Sequence, residues 1–150
     1  MRAGACGAWQ ATRARGRDPG ACPGVPIYRV GVPQVISDPA RIPVPGGKVI
    51  DEFVGRASTR DGAVSVARMA APAGWSEPGQ APEFDEVTLV LRGSVLVEHR
   101  AGGVEVRAGQ AVVTRAGEWV RYSAGAEGAD YVAVCTPAFS PELARRDAET

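Results

Sequence analysis

From Val25 onward, proline and glycine recur every eight to twelve residues, and that punctuation does most to limit what the chain can become. Glycine reaches positive φ without steric cost and proline presets a turn, so each cluster marks a reversal of the chain. Short β-branched runs lie between the reversals and predict strands over 27–30, 48–54, 63–70, 86–92, 94–99, 103–107, 111–115, 119–123 and 130–136. Many short strands at even spacing argue for an all-β sandwich or barrel. Val64 and Val66, and Val87, Leu89 and Leu91, alternate with other residues, as strands with two distinct faces require. Val95–His99 and Val104–Arg107, joined across Ala101-Gly102-Gly103, read as a hairpin. Helix is confined to 140–146, where Ser140 is the expected N-cap and Pro141 the first helical residue. No internal repeat is present.

The 150 residues amount to one domain, and aromatics are only 6%, so Val, Ala, Leu and Ile must fill the core. Nineteen glycines and twelve prolines suit a chain of many turns. Residues 1–24 lack periodicity and carry four arginines against Asp18, a net of +3. They are expected to be a disordered extension, or to precede a true start near Val25, with 25–140 forming the barrel and 141–150 a short helical or disordered tail. Beyond residue 24 there are 13 basic and 16 acidic residues, a net of −3 with no basic stripe, so nucleic-acid binding by the barrel is not expected. Lys48 is the single lysine among 17 basic residues, a skew that reads as the signature of a GC-rich genome.

No apolar run reaches the roughly 18–20 residues that cross a membrane, and the arginine-bearing start lacks a signal-peptide core. Cys6, Cys22 and Cys135 are odd in number and have no paired spacing. They read as reduced thiols in a cytoplasmic protein, with Cys135 a small buried hydrophobe.

Two segments identify the barrel more closely. The first, Gly74–Gly93, is GWSEPGQAPEFDEVTLVLRG; the second, Gly109–Ala124, is GQAVVTRAGEWVRYSA. They resemble the two signature motifs of the cupin superfamily, which pack as facing strand pairs of a double-stranded β-helix or jelly-roll barrel. Gly74, Gln80, Pro82, Glu86 and Gly93 fall at the spacing of the first motif, and Gly109, Arg115, Gly117, Val120 and Ala124 at that of the second. Fifteen residues separate the two motifs, as in small microbial cupins. The pattern is similar to histidine-poor bacterial cupins, including the ethanolamine-utilisation barrel type, through Phe84-Asp85-Glu86 and the closing run Tyr131 to Phe139.

The departures from the family pattern bear on function. The resemblance implies three histidines and a glutamate as metal ligands, but Gln80, Pro82 and Val120 stand where the histidines would be, and only Glu86 remains. His99, the one histidine, lies on the hairpin away from both motifs. A histidine-based site for iron, manganese or zinc cannot be assembled, so no cofactor is expected. If any ion is held, Gln80 and Glu86 with a nearby acid such as Glu77 or Glu83 are the ligands left for a hard cation.

An inward Glu86 places Thr88 and Val90 on the same face, and Val120 and Tyr122 face inward on the opposing strand, with Trp119 and Arg121 outward. Glu86 then has three open roles: an ion pair with Arg68, a ligand anchor, or a proton-transfer group. The expected function is binding of a small polar or carboxylate metabolite in the barrel mouth by Arg68, Glu77, Gln80, Glu83 and Trp119. Trp119 and Trp75 are also simple packing residues on the same reading. The alternatives are a metal-independent isomerase or lyase with Glu86 as base and Tyr122 as acid, and a carboxylate-ligated metal enzyme. A homodimer through the outer sheet is expected, as in many cupins.

Overall fold

The computed structural model describes residues 33–148. The chain divides into Met1–Pro33 and Gln34–Thr150, and the fold below is that of the second unit. The expected extension over 1–24 and the expected strand over 27–30 lie outside the described residues.

Seven antiparallel strands and one helical turn follow in order: β1 Ala40–Ile42, β2 Val49–Val54, β3 Ser65–Ala71, β4 Asp85–His99, β5 Gly102–Arg107, β6 Ala111–Thr114, β7 Val120–Thr136 and α1 Pro141–Ala144. Hydrogen-bonded neighbours run β1-β2-β3-β7-β4-β5, and β6 pairs with β4. Two strands, β4 and β7, are far longer than the rest and pair with each other from Asp85↔Thr136 to His99↔Val120. Their halves have different outer neighbours. The first half of β4 lies beside β6 and its second half beside β5. The second half of β7 lies beside β3, while Ser76 and Gln80 bridge to its first half at Ser123 and Val120.

The two expected segments 86–92 and 94–99 are thus one strand, and so are 119–123 and 130–136. The physical cause is a shared bend. Register slips between Val90 and Arg92 and between Gly93 and Val95, as β-bulges do. Thr88 and Val90 are buried before the slip, Val95 and Val97 after it, so the inward parity changes from even to odd. In β7 it likewise passes from Val120 and Tyr122 to Tyr131, Ala133 and Cys135. Inner residues of both halves meet in one core, including Val90, Val95, Val97, Val106, Val120, Tyr122 and Tyr131. This is the expected all-β jelly roll.

Gly93 does not reverse the chain as the sequence suggested; it sits at the bend with φ of 68°, and a Cβ there would stand 2.0 Å from the carbonyl oxygen of Gly128. The β4–β5 hairpin turns at Arg100-Ala101, with His99 opposite Gly102. Strand β1 went unrecognised in the sequence. Ser140 caps α1 as expected, accepting a hydrogen bond from Leu143 N at 3.3 Å. The segment after the helix then runs back along the 79–83 loop, with Asp147 N donating to Gly79 O and Glu83 N to Leu143 O. Facing away from the core, Val87, Leu89 and Leu91 of β4 and Val113 of β6 form an exposed apolar stripe.

Replacing Gly93 with alanine should lower stability by more than about 2 kcal/mol, because left-handed backbone strain and contact with Gly128 add together. A urea midpoint close to that of the parent protein is the result that would contradict this account of the bend.

Candidate functional site

The inward face of the first half of β4 sets the floor of the site. Alternation carries Glu86 and Thr88 inward, and their side chains meet, with Thr88 Oγ1 donating to Glu86 Oε1 at 2.7 Å. On β7, Cys135 approaches Glu86 Oε2 at 3.7 Å, and Tyr122 shares a hydrogen bond with Thr114 at 3.2 Å. The 74–82 loop adds Glu77, whose N–H donates to Tyr122 O, and Gln80, whose backbone pairs doubly with Val120. Lys48 enters from the turn before β2, its side chain only 5% exposed. Arg146 comes from the returning tail. Glu86, Cys135, Tyr122, Glu77, Gln80, Lys48 and Arg146 line a cavity of about 60 Å³ with Ile50, Met69, Tyr131 and Phe139, room for several waters or a compact ligand. An outer groove of about 440 Å³ shares Lys48, Ile50, Glu77 and Arg146 with it.

Of the expected site residues, Glu77, Gln80, Glu86 and Tyr122 come together in this cavity. Arg68, Glu83 and Trp119 do not. Arg68 points outward and forms a forked pair with Asp130, at 2.9 and 2.6 Å, so the ion pair considered for Glu86 and Arg68 is not made. The inward residues of β3 are Ser65, Ala67 and Met69, one step out of phase with Arg68. Glu83 lies on the surface and pairs with Arg145. Trp119 donates its indole N–H to Asp147 at 2.9 Å and lines a separate groove with His99. Val120 is inward and Arg121 outward, as alternation required.

Lys48 and Arg146 were missed as site residues. Lys48 Nζ stands 3.9 Å from Glu77 Oε2 and 3.9 Å from the centroid of the Trp75 ring, so Trp75 packs as a cation–π partner. Arg146, within the segment 140–146 expected to be helical, also lies 3.9 Å from Glu77 Oε2. Lys48 was visible as the lone lysine, directly after Gly46-Gly47; nothing local marked Arg146, which long-range pairing of the tail brings in.

Burial dominates the electrostatics. It pulls the Lys48 ammonium below its ordinary range, although Glu77 and Glu86 act in the opposite direction. It pushes Glu77 up against the pull of Lys48. Glu86 is pushed up as well, opposed by the Thr88 hydrogen bond and by Lys48. The Tyr122 phenol and the Cys135 thiol also rise on burial, which makes both weak acids. Gln80 Oε1 is buried and accepts no hydrogen bond from any described residue.

A carboxyl whose folded pKa is raised contributes full stability below its unfolded pKa and loses that contribution as pH rises through the folded value. Glu86→Gln, which keeps the shape and the acceptor for Thr88, should therefore gain thermal stability over the parent as pH rises from 5 to 8. A gain near 1 kcal/mol corresponds to about 4 °C in a domain of this size. A Tm difference that stays flat, or reverses, across that range would show that Glu86 is ionised and well compensated.

Comparisons with solved structures agree on the architecture. No protein-family model matches the chain. The Myxococcus xanthus protein Endoribonuclease YbeY is 48% identical over 107 residues, 71% of this chain, and the chain spans only 36% of that relative's length. Among solved structures, a Bacillus subtilis oxalate decarboxylase variant is 19% identical with a TM-score of 0.63, covering 74% of this chain and 31% of that one. A Streptomyces PAC13 variant with uridine is 14% identical with a TM-score of 0.62, covering 76% and 88%. A putative ethanolamine utilization protein Q from Salmonella typhimurium is 16% identical with a TM-score of 0.51, covering 61% and 71%. At these identities the likeness is one of fold, and it agrees with the strand order and the two motifs: the chain is a cupin-type jelly-roll barrel.

Proposed function

We propose that this barrel binds a small polar metabolite, a carboxylate above all, in the cavity between β4, β7 and the 74–82 loop. The observation that carries the reading is Gln80 Oε1, a buried acceptor without a donor among the described residues, on the wall of a cavity that also holds Lys48, Glu77 and Glu86. Leaving such an atom unpaired costs about 1–3 kcal/mol, and a ligand hydroxyl or amino group relieves it. Arg146 and Lys48 take the role that the sequence gave to Arg68, offering charge-assisted contacts to an acid group. The apolar wall of Ile50, Met69 and Phe139 suits a short carbon chain.

An acid–base reaction is the second reading, and burial of Glu86 favours it, since a carboxyl with a raised pKa can both give and accept a proton near neutrality. Glu77 is the better second group than Tyr122, whose phenol is pushed up and engaged with Thr114. A metal does not suit the donor set. Pro82 and Val120 offer no ligating atom, and the cation beside Glu77 and Glu86 is already the Lys48 ammonium. We also do not extend ribonuclease activity to the chain. The segment shared with the Myxococcus protein is a minor part of that relative, and the residues beyond 24 are net acidic. A second copy of the chain is the proposed cover for the outer stripe of Val87, Leu89, Leu91 and Val113, which are 39–49% exposed.

A thermal-shift screen of short carboxylates, hydroxy acids and polyols tests the binding reading. At least one compound should raise the Tm of the parent, and at a hundredfold excess over Kd the stabilisation is about 2.7 kcal/mol. Gln80→Leu, which removes the unpaired acceptor, should be no less stable than the parent without ligand yet lose most of the shift. No shift with any compound would end the binding proposal. For assembly, light scattering should report a dimer for the parent and a monomer for Leu89→Lys; a monomeric parent would remove the second copy.

A further inference from the structure

We propose that Lys48 is a carbonyl-reactive amine, and that the ligand it takes is a small oxo acid bound as an imine. This rests on the binding reading above and names its substrate class. Three observations carry it.

The first is residue choice. Sixteen of the seventeen basic residues are arginine, and the one lysine occupies the cavity. Arginine would serve a purely structural charge at least as well, because its fork pairs carboxylates in two places; what it cannot do is shed a proton and act as a nucleophile.

The second is geometry. A buried lysine kept for an ion pair needs close hydrogen bonds to offset its desolvation. Lys48 Nζ instead stands 3.9 Å from the nearest Glu77 oxygen, beyond hydrogen-bond distance, with the Trp75 ring on another side. The amine packs over Trp75 and, at 5.4 Å, Tyr131, but no hydrogen bond to a described residue holds it. It faces both the inner cavity and the outer groove, which gives a small molecule a way in.

The third is the set of groups around it. Glu77 and Glu86 are within electrostatic reach of Lys48 and can take up or return a proton. Gln80 Oε1 lacks a donor among the described residues, and Arg146, 43% exposed at the junction of groove and cavity, is placed for the acid group of an entering ligand. Desolvation also raises the fraction of free amine, as in other imine-forming lysines.

The step balances without an oxidant or a reductant. The neutral amine donates its lone pair to the carbonyl carbon, forming a C–N bond while the C=O π bond breaks and its oxygen takes the proton of one protonated carboxyl, Glu77 or Glu86. The amine nitrogen gives up one proton to a carboxylate. That proton then goes to the departing hydroxyl, the C–O bond breaks, and water leaves a protonated imine beside Glu77 and Glu86.

The test uses the full chain with pyruvate and sodium cyanoborohydride at neutral pH, read by intact mass and peptide mapping. Mapping separates Lys48 from the N-terminal amine, the only other primary amine that a single-lysine chain has. The expected result is one reduced adduct on Lys48, formed faster in the folded protein than in urea, since a lowered pKa leaves more of the amine free. Lys48→Arg should abolish the adduct. Equal or slower labelling of the folded chain, or none, would overturn the inference. Lactate, which has no carbonyl, separates the two levels: a lactate thermal shift without pyruvate trapping sinks the imine and leaves the pocket, whereas neither shift nor trapping removes both for this ligand class.

Discussion

The pairing of β4 with β7 along their whole length, through a common bend, governs the rest of the molecule. Each strand contributes to both halves of the barrel, so the two halves cannot form independently of one another. The bend requires the backbones at Gly93 and Gly128 to approach so closely that no Cβ fits between them. It also exchanges which parity faces inward. Before the bend, β4 presents Glu86 and Thr88; beyond it, the same strand presents only Val95 and Val97. β7 runs the other way and carries Tyr122 in its first half and Cys135 in its second. Polar groups thus collect at one place in the interior while the remaining core stays apolar.

That placement determines what the site costs. A lysine and two carboxyls held away from water would each prefer the neutral form, and burial moves all three in that direction. The attraction between Lys48 and the two carboxyls opposes the shift without cancelling it, which fits separations too long for direct hydrogen bonds, such as the 3.9 Å from Lys48 to Glu77, while Glu86 adds to the rise of Glu77. Glu52 makes an instructive contrast. It too is buried, but its Oε1 accepts from Ala57 N and Ser58 N, both at 2.9 Å, and so it completes a turn. One acid is consumed by structure, whereas Glu77 and Glu86 leave capacity facing the cavity.

The fold was legible because glycine spacing and strand alternation agreed with the two motifs; the motif resemblance supplied the inward direction of Glu86, and alternation extended it to the residues sharing its face. The bend was hidden. A bulge interrupts the period of two, so each long strand read as two short ones. The side on which Arg68 lies was misjudged for a related reason. Val64 and Val66 set an apolar parity that includes Arg68, but the outer face of this sheet is itself apolar, and the core lies on the side of Ser65, Ala67 and Met69. Glu83 and Trp119 flank inward positions on loops and edges, where no period applies. Arg146 depended on the tail folding back over the 79–83 loop, a contact between residues far apart in sequence.

The lone lysine shows why composition and position must be weighed together. As a frequency it is no more than a bias towards arginine. As a position it follows Gly46-Gly47, whose backbones take φ of 77° and 74° and deliver residue 48 to the first inward place before β2. A barrel that lacks three histidines has lost the usual way of placing a positive charge at its centre, and carboxyls left there would repel one another. Lys48 supplies that charge from the turn before β2, covalently attached and unable to be chelated away. Unlike a metal, it can also become neutral and form a bond. With Gln80, Pro82 and Val120 standing where the resemblance implies histidines, the cavity therefore holds one amine, two buried carboxyls and an acceptor unpaired among the described residues within one small space.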